Sequence, residues 1–119
     1  MAGPGAPVLF YTAARSGKFL VFSLSGRIEG VRVSEFSEQL MRQIDSGENH
    51  IVLDCSAVSC LASPTRRVLL AFARRLESRG GMFRVAGLQP ALRAAVAELR
   101  GPGGPLSLFA SLPEALNSP

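Results

Sequence analysis

The chain has 119 residues, 47% apolar and 18% charged, with a net charge of +4. That length and balance fit one domain with an ordinary core and argue against disorder, and no apolar run approaches the ~20 residues a membrane-spanning helix needs. Arginine supplies twelve of the thirteen basic residues, but these are scattered and accompanied by one tyrosine and no tryptophan. This argues against direct nucleic-acid binding and leaves, at most, attraction to an acidic protein partner.

Residues 1–7, Met1-Ala2-Gly3-Pro4-Gly5-Ala6-Pro7, read as a flexible leader without the basic start and apolar centre of a signal peptide, and the domain is expected over 8–117. Val8-Leu9-Phe10-Tyr11 predicts a first strand, Ser16-Gly17-Lys18 a turn, and Phe19 to Ser25 a second strand, together a hairpin. In the second strand Leu20, Phe22 and Leu24 alternate with Phe19 and Val21, so both faces are expected to be buried. Gly26 is read as its end, with Arg27-Ile28-Glu29-Gly30 as a loop.

Val33, Phe36, Leu40 and Ile44 recur at three- and four-residue steps. They predict an amphipathic helix from about Ser34, its cap, to Ser46, with Gly47 as the stop. His50 to Cys55 is the expected central parallel strand, and Val58 anchors a short connection after it. Val68, Leu69, Phe72 and Leu76 define a second helix from about Pro64 to Arg79, ended by Gly80-Gly81. Met82 to Ala86 is a fourth strand. Gln89-Pro90 opens a helix carrying Leu92, Val96 and Leu99, Leu106 to Phe109 is a short strand, and Ser111 caps a last helix. The order β-β-α-β-α-β-α-β-α predicts an α/β domain with a mixed, mostly parallel sheet and about four helices.

Little here suggests an enzyme or a cofactor site. His50 is the single histidine, no GxSxG or HExxH pattern occurs, and Cys55 and Cys60 read as small core residues of a reducing cytoplasm. Asp54 and Glu29 are read as residues that cap or pair locally. The informative stretch is Cys60-Leu61-Ala62-Ser63-Pro64-Thr65-Arg66-Arg67, where the central strand hands over to the second helix. Ser63 before Pro64 is a helix-start signal, with the hydroxyl expected to cap a backbone N–H. A helix N-terminus also attracts anions.

Three segments carry a family resemblance: Leu24-Ser25-Gly26-Arg27-Ile28-Glu29, the strand Ile51 to Cys55 with Ser56-Ala57-Val58, and Arg74 to Gly81 running on to Val85-Ala86-Gly87. In order and spacing they resemble the STAS domain of bacterial anti-sigma-factor antagonists. The resemblance implies a STAS-like fold and a cytoplasmic, non-enzymatic module of bacterial transcription regulation, with self-association left open. It also implies a partner that is an anti-sigma factor or a serine kinase of the GHKL type. It places Ser63 at the family's phosphorylated serine and the partner surface on Arg27, Glu29, Ser63, Pro64, Thr65, Arg66 and Arg67. Ala62, Pro64 and Thr65 stand where the family has aspartate, a hydroxyl residue and glycine, so plain capping by Ser63 remains the alternative. Arg67, four residues on, and Arg66 beside it are the cations expected to meet a phosphate. The same family also suggests another role, an accessory subunit of a phospholipid-transport ABC ATPase.

Overall fold

The structure is a computed structural model that describes residues 10–98, 100–101 and 104–118. The expected leader, Val8 and Leu9 of the first strand, and Leu99 lie outside the described residues. Strand β1 (Phe10–Ser16) turns at Gly17 into β2 (Phe19–Ile28), with Ser16 opposite Phe19 in an antiparallel hairpin. There follow α1 (Val31–Asp45), β3 (His50–Leu61), α2 (Ser63–Glu77), β4 (Met82–Ala86) and α3 (Pro90–Ala97). Two-residue strands β5 (Arg100–Gly101) and β6 (Gly104–Pro105) pair with each other, and β7 (Ser107–Phe109) and α4 (Leu112–Asn117) complete the chain. The main sheet has the order β1-β2-β3-β4-β7, antiparallel at β1–β2 and parallel elsewhere.

The expected two-faced burial of β2 is present and organises both layers. Leu20, Phe22, Leu24 and Ile28 join Ile51 and Leu53 in the main core with Phe36, Leu40 and Ile44 of α1 and Leu69, Phe72 and Leu76 of α2. The rings of Phe36 and Phe72 meet edge-on at 5.9 Å, an arrangement suited to the aromatic quadrupole. A smaller core is formed by Phe19, Val52 and Ala86 with Ala115 of α4.

Several boundaries differ from the sequence reading. Strand β2 continues through Gly26 and Arg27 to Ile28, so the expected loop begins only at Glu29. Strand β3 runs to Leu61 rather than Cys55, and Val58 lies inside it, fully buried. The cause is visible in the register: Ser23 pairs Asp54 but Ser25 pairs Ala57, and Gly26 pairs Val58 but Arg27 pairs Cys60. Each step inserts one additional residue in β3. Each bulge therefore inverts its alternation, which carries inward burial from Cys55 to Val58 and then to Leu61. Helix α1 starts at Val31 after Gly30, whose φ of 58° and ψ of −135° suit glycine, and Ser34 is inside the helix rather than its cap.

The turn before β3 and the turn after α2 are pressed together. A Cβ on Gly81 would stand 1.9 Å from the Asn49 carbonyl oxygen, which also accepts the Met82 N–H at 2.8 Å. Only glycine fits.

Candidate functional site

The end of the β2–β3 pair builds a platform for the first turn of α2. Arg27 is opposite Cys60 and Ile28 opposite Leu61. The Ala62 N–H then donates to the Ile28 carbonyl at 2.9 Å, and the Thr65 N–H to the Ala62 carbonyl at 2.9 Å. Thr65 is fully buried, with Oγ1 3.5 Å from the same Ile28 carbonyl. Its side chain is a structural anchor beneath the helix start, which corrects its expected place on the partner surface.

Ser63 is likewise not the cap. Ala62 occupies that position with extended backbone and no side-chain cap bond, while Ser63 is the first helical residue and Pro64 the second. A proline there forfeits no intrahelical bond, so the helix starts without help from the serine hydroxyl. Ser63 is exposed, and its Oγ accepts from Arg66 Nη2 at 3.3 Å. The arginine nearest the hydroxyl is thus Arg66 rather than Arg67. Arg67 is exposed, and so is Pro64.

Beside this turn, Arg27 Nε donates to Glu29 Oε2 at 2.6 Å and Nη2 to Oε1 at 3.3 Å. The Cys60 thiol donates to Glu29 Oε1 at 3.7 Å. The Arg27 hydrogen bond holds the Glu29 carboxyl below the usual carboxylate range, and the same bond raises Arg27. This pair is solvent-facing and screened, so its value lies in fixing the orientation of two charged groups rather than in stability.

Three residues of interest escaped the sequence reading. Cys60 is half-buried rather than core, and it touches Glu29. Val31 is 72% exposed, the only large apolar side chain so exposed among the described residues. Its signal was its position off the Val33-Phe36-Leu40-Ile44 stripe. Arg84 lies buried in β4, its guanidinium 5.0 Å from the Phe19 ring centroid and 5.2 Å from that of Phe109. Arg84 Nη1 donates to the Ala115 carbonyl at 2.6 Å and to the Ser118 carbonyl at 2.8 Å. A charged residue amid apolar neighbours in Met82-Phe83-Arg84-Val85-Ala86 was the available clue.

The remaining candidates are local. His50 packs edge-on against Phe19 at 6.1 Å. Asp54 Oδ1 accepts from the Ser56 N–H at 3.1 Å and the Ser56 hydroxyl at 2.9 Å, closing the first bulge. Cys55 is buried, and that burial, with the Asp54 charge adding to it, pushes its thiol up. No helix among the described residues is long and apolar enough to cross a membrane.

A family model described as the STAS domain matches residues 11–101. The chain belongs to the STAS domain family. Among solved structures it is similar to a variant of RsbS from Moorella thermoacetica, with TM-score 0.70 and 22% identity over 90% of this chain and 92% of that one. An anti-sigma-factor antagonist from Mycobacterium paratuberculosis gives TM-score 0.73 and 20% identity over 92% of each chain. The phosphorylated form of the Bacillus cell fate determinant SpoIIAA gives 0.69 and 20% over 91% and 97%. At these identities the likeness establishes a shared fold. No curated protein sequence matches the chain significantly.

Proposed function

We propose that this chain is a non-enzymatic interaction module of the anti-sigma-factor-antagonist kind, working in the bacterial cytoplasm to regulate transcription. Its partner is an anti-sigma factor or a serine kinase of the GHKL type, which docks on the α2 N-terminus. Arg27, Glu29, Ser63, Pro64, Arg66 and Arg67 form that surface, with Val31 nearby as its apolar contact. The observation that carries the reading is the spare hydroxyl of Ser63. It is exposed at the first turn of a helix, is not consumed by capping, and already faces a guanidinium.

Phosphorylation of Ser63 adds about 1.5–2 negative charges at that point. Arg66 and the positive end of the α2 dipole each attract that charge, although Pro64 contributes no N–H and the Thr65 N–H is already given to the Ala62 carbonyl. The modified surface then repels an acidic partner or disrupts an apolar contact. The solved phosphorylated form of SpoIIAA, a protein of the same fold, supports placing a phosphate on this scaffold.

The test is capture of partners from native lysate with wild type, Ser63→Ala and Ser63→Glu. The expected result is recovery of a kinase or anti-sigma factor by wild type and Ser63→Ala, and at least about tenfold weaker binding by Ser63→Glu. Equal affinity for both variants removes the switch and leaves the module. Specific recovery of a phospholipid-transport ATPase overturns the transcriptional role.

A further inference from the structure

The outward faces of α1 and α2 carry opposite charge in neighbouring stripes. On α1, Glu35 and Glu38 are exposed, followed by Arg42 and Asp45. On α2, Arg67, Ala71, Arg74 and Ser78 are all exposed, and their four- and three-residue steps place them on one side of the helix or its end. Near their C-terminal ends the two helices are joined: Arg75 Nη2 donates to Asp45 Oδ1 at 3.2 Å, and Arg79 Nη1 donates to the Ile44 carbonyl at 3.1 Å. Among the described residues Glu35, Glu38, Arg67 and Arg74 form no ion pair.

The two helices run in the same direction, since each connects parallel strands of one sheet. Phe36 meets Phe72 and the Ile44 carbonyl meets Arg79, so Glu38 stands level with Arg74 and Arg42 with Ser78. A wholly acidic partner would gain at α2 and be repelled at Glu35 and Glu38. A surface carrying both signs side by side suits a second copy of itself. A two-fold axis parallel to the helices, passing between α1 and α2, lays α1 of one copy on α2 of the other. Glu38 then faces Arg74 of the second copy, and the contact occurs twice. Arg42 falls on neutral Ser78 rather than on a like charge, and Ala71 leaves room for a facing helix.

We infer that this helical face is a self-association surface, joining two copies of the chain through reciprocal Glu38–Arg74 contacts. It goes beyond the proposed partner surface: the reciprocal pair Glu38 and Arg74 lies outside that surface, and the two meet only at Arg67 at the start of the α2 stripe. Exposed ion pairs are individually weak and screened by salt, so the dimer is salt-sensitive and concentration-dependent.

Crossed charge reversal tests it by sedimentation equilibrium of the full chain. At ionic strength of about 0.02 M, where the screening length exceeds 20 Å, wild type is expected to dimerise, and salt of about 0.5 M to weaken the dimer. Glu38→Arg and Arg74→Glu each place like charges at both contacts and are expected to raise the dissociation constant at least about tenfold. Mixing the two variants restores opposite charges at both contacts, and so does the double variant E38R/R74E. Both are expected to associate within about threefold of wild type. Both positions are exposed, and unchanged thermal melts confirm that the variants fold. Monomeric wild type at low salt, a dimer indifferent to both reversals, or failure of the mixture to associate would each overturn the inference.

Discussion

Two regions of the molecule place an arginine beside a helix terminus, and they behave oppositely. At the α2 N-terminus, Arg66 reaches Ser63 across an exposed surface through one 3.3 Å contact. On the other side of the sheet, Arg84 is buried between two aromatic rings and donates to carbonyls at the end of α4. The buried guanidinium satisfies carbonyls that a helix C-terminus leaves open and fixes α4 over the smaller core. The exposed one holds nothing essential in place. A net positive charge therefore divides into structural cation and available cation, and only the second kind can meet a partner.

Breaking the buried side of this contrast has the largest expected effect. Arg84→Met keeps most of the volume but removes the donor for two carbonyls and the cation between two rings. It is expected to destabilise the fold by about 3 kcal/mol, read by urea unfolding. Thr65→Ala removes a buried methyl and hydroxyl beneath the α2 start and is expected to cost about 1.5 kcal/mol in the same measurement.

The cysteines sharpen the contrast through pH. Burial raises the Cys55 thiol in the folded chain, so the unfolded chain loses that proton first as pH rises. The stability present below about pH 8.5 is then lost above it, by up to about 1.4 kcal/mol per pH unit. Cys55→Ala should flatten this alkaline slope in urea titrations at successive pH values. The smallest effect belongs to the exposed side. Ser63→Ala is expected to change stability by less than about 0.5 kcal/mol, whereas loss of a true cap would cost about 1 kcal/mol.

The helices and the hairpin were legible because their apolar spacing is regular. Phe36, Leu40 and Ile44 keep the period of one helix face, and Leu20, Phe22 and Leu24 keep that of a strand. The end of β3 was not legible, because two bulges break its alternation and a strand read by period two stops at Cys55. The error spread to the site. With β2 read as ending at Gly26 and β3 at Cys55, Arg27 was assigned to a loop rather than paired opposite Cys60. Ser63 was placed correctly at the helix start, but its role as a cap rested on residue type alone. Whether a hydroxyl or the preceding backbone supplies the cap position is decided by one residue of register. Arg84 was missed for a different reason: its aromatic neighbours Phe19 and Phe109 come from distant parts of the chain.

The contact between Gly81 and Asn49 has an evolutionary consequence. Two turns separated by more than thirty residues share one point at which no side-chain atom can be inserted. They are therefore free to vary only as a pair, and a library randomising both turns together should return glycine at 81 wherever the first turn keeps its backbone path. Variants with another residue there should arise only alongside a shortened or rerouted first turn.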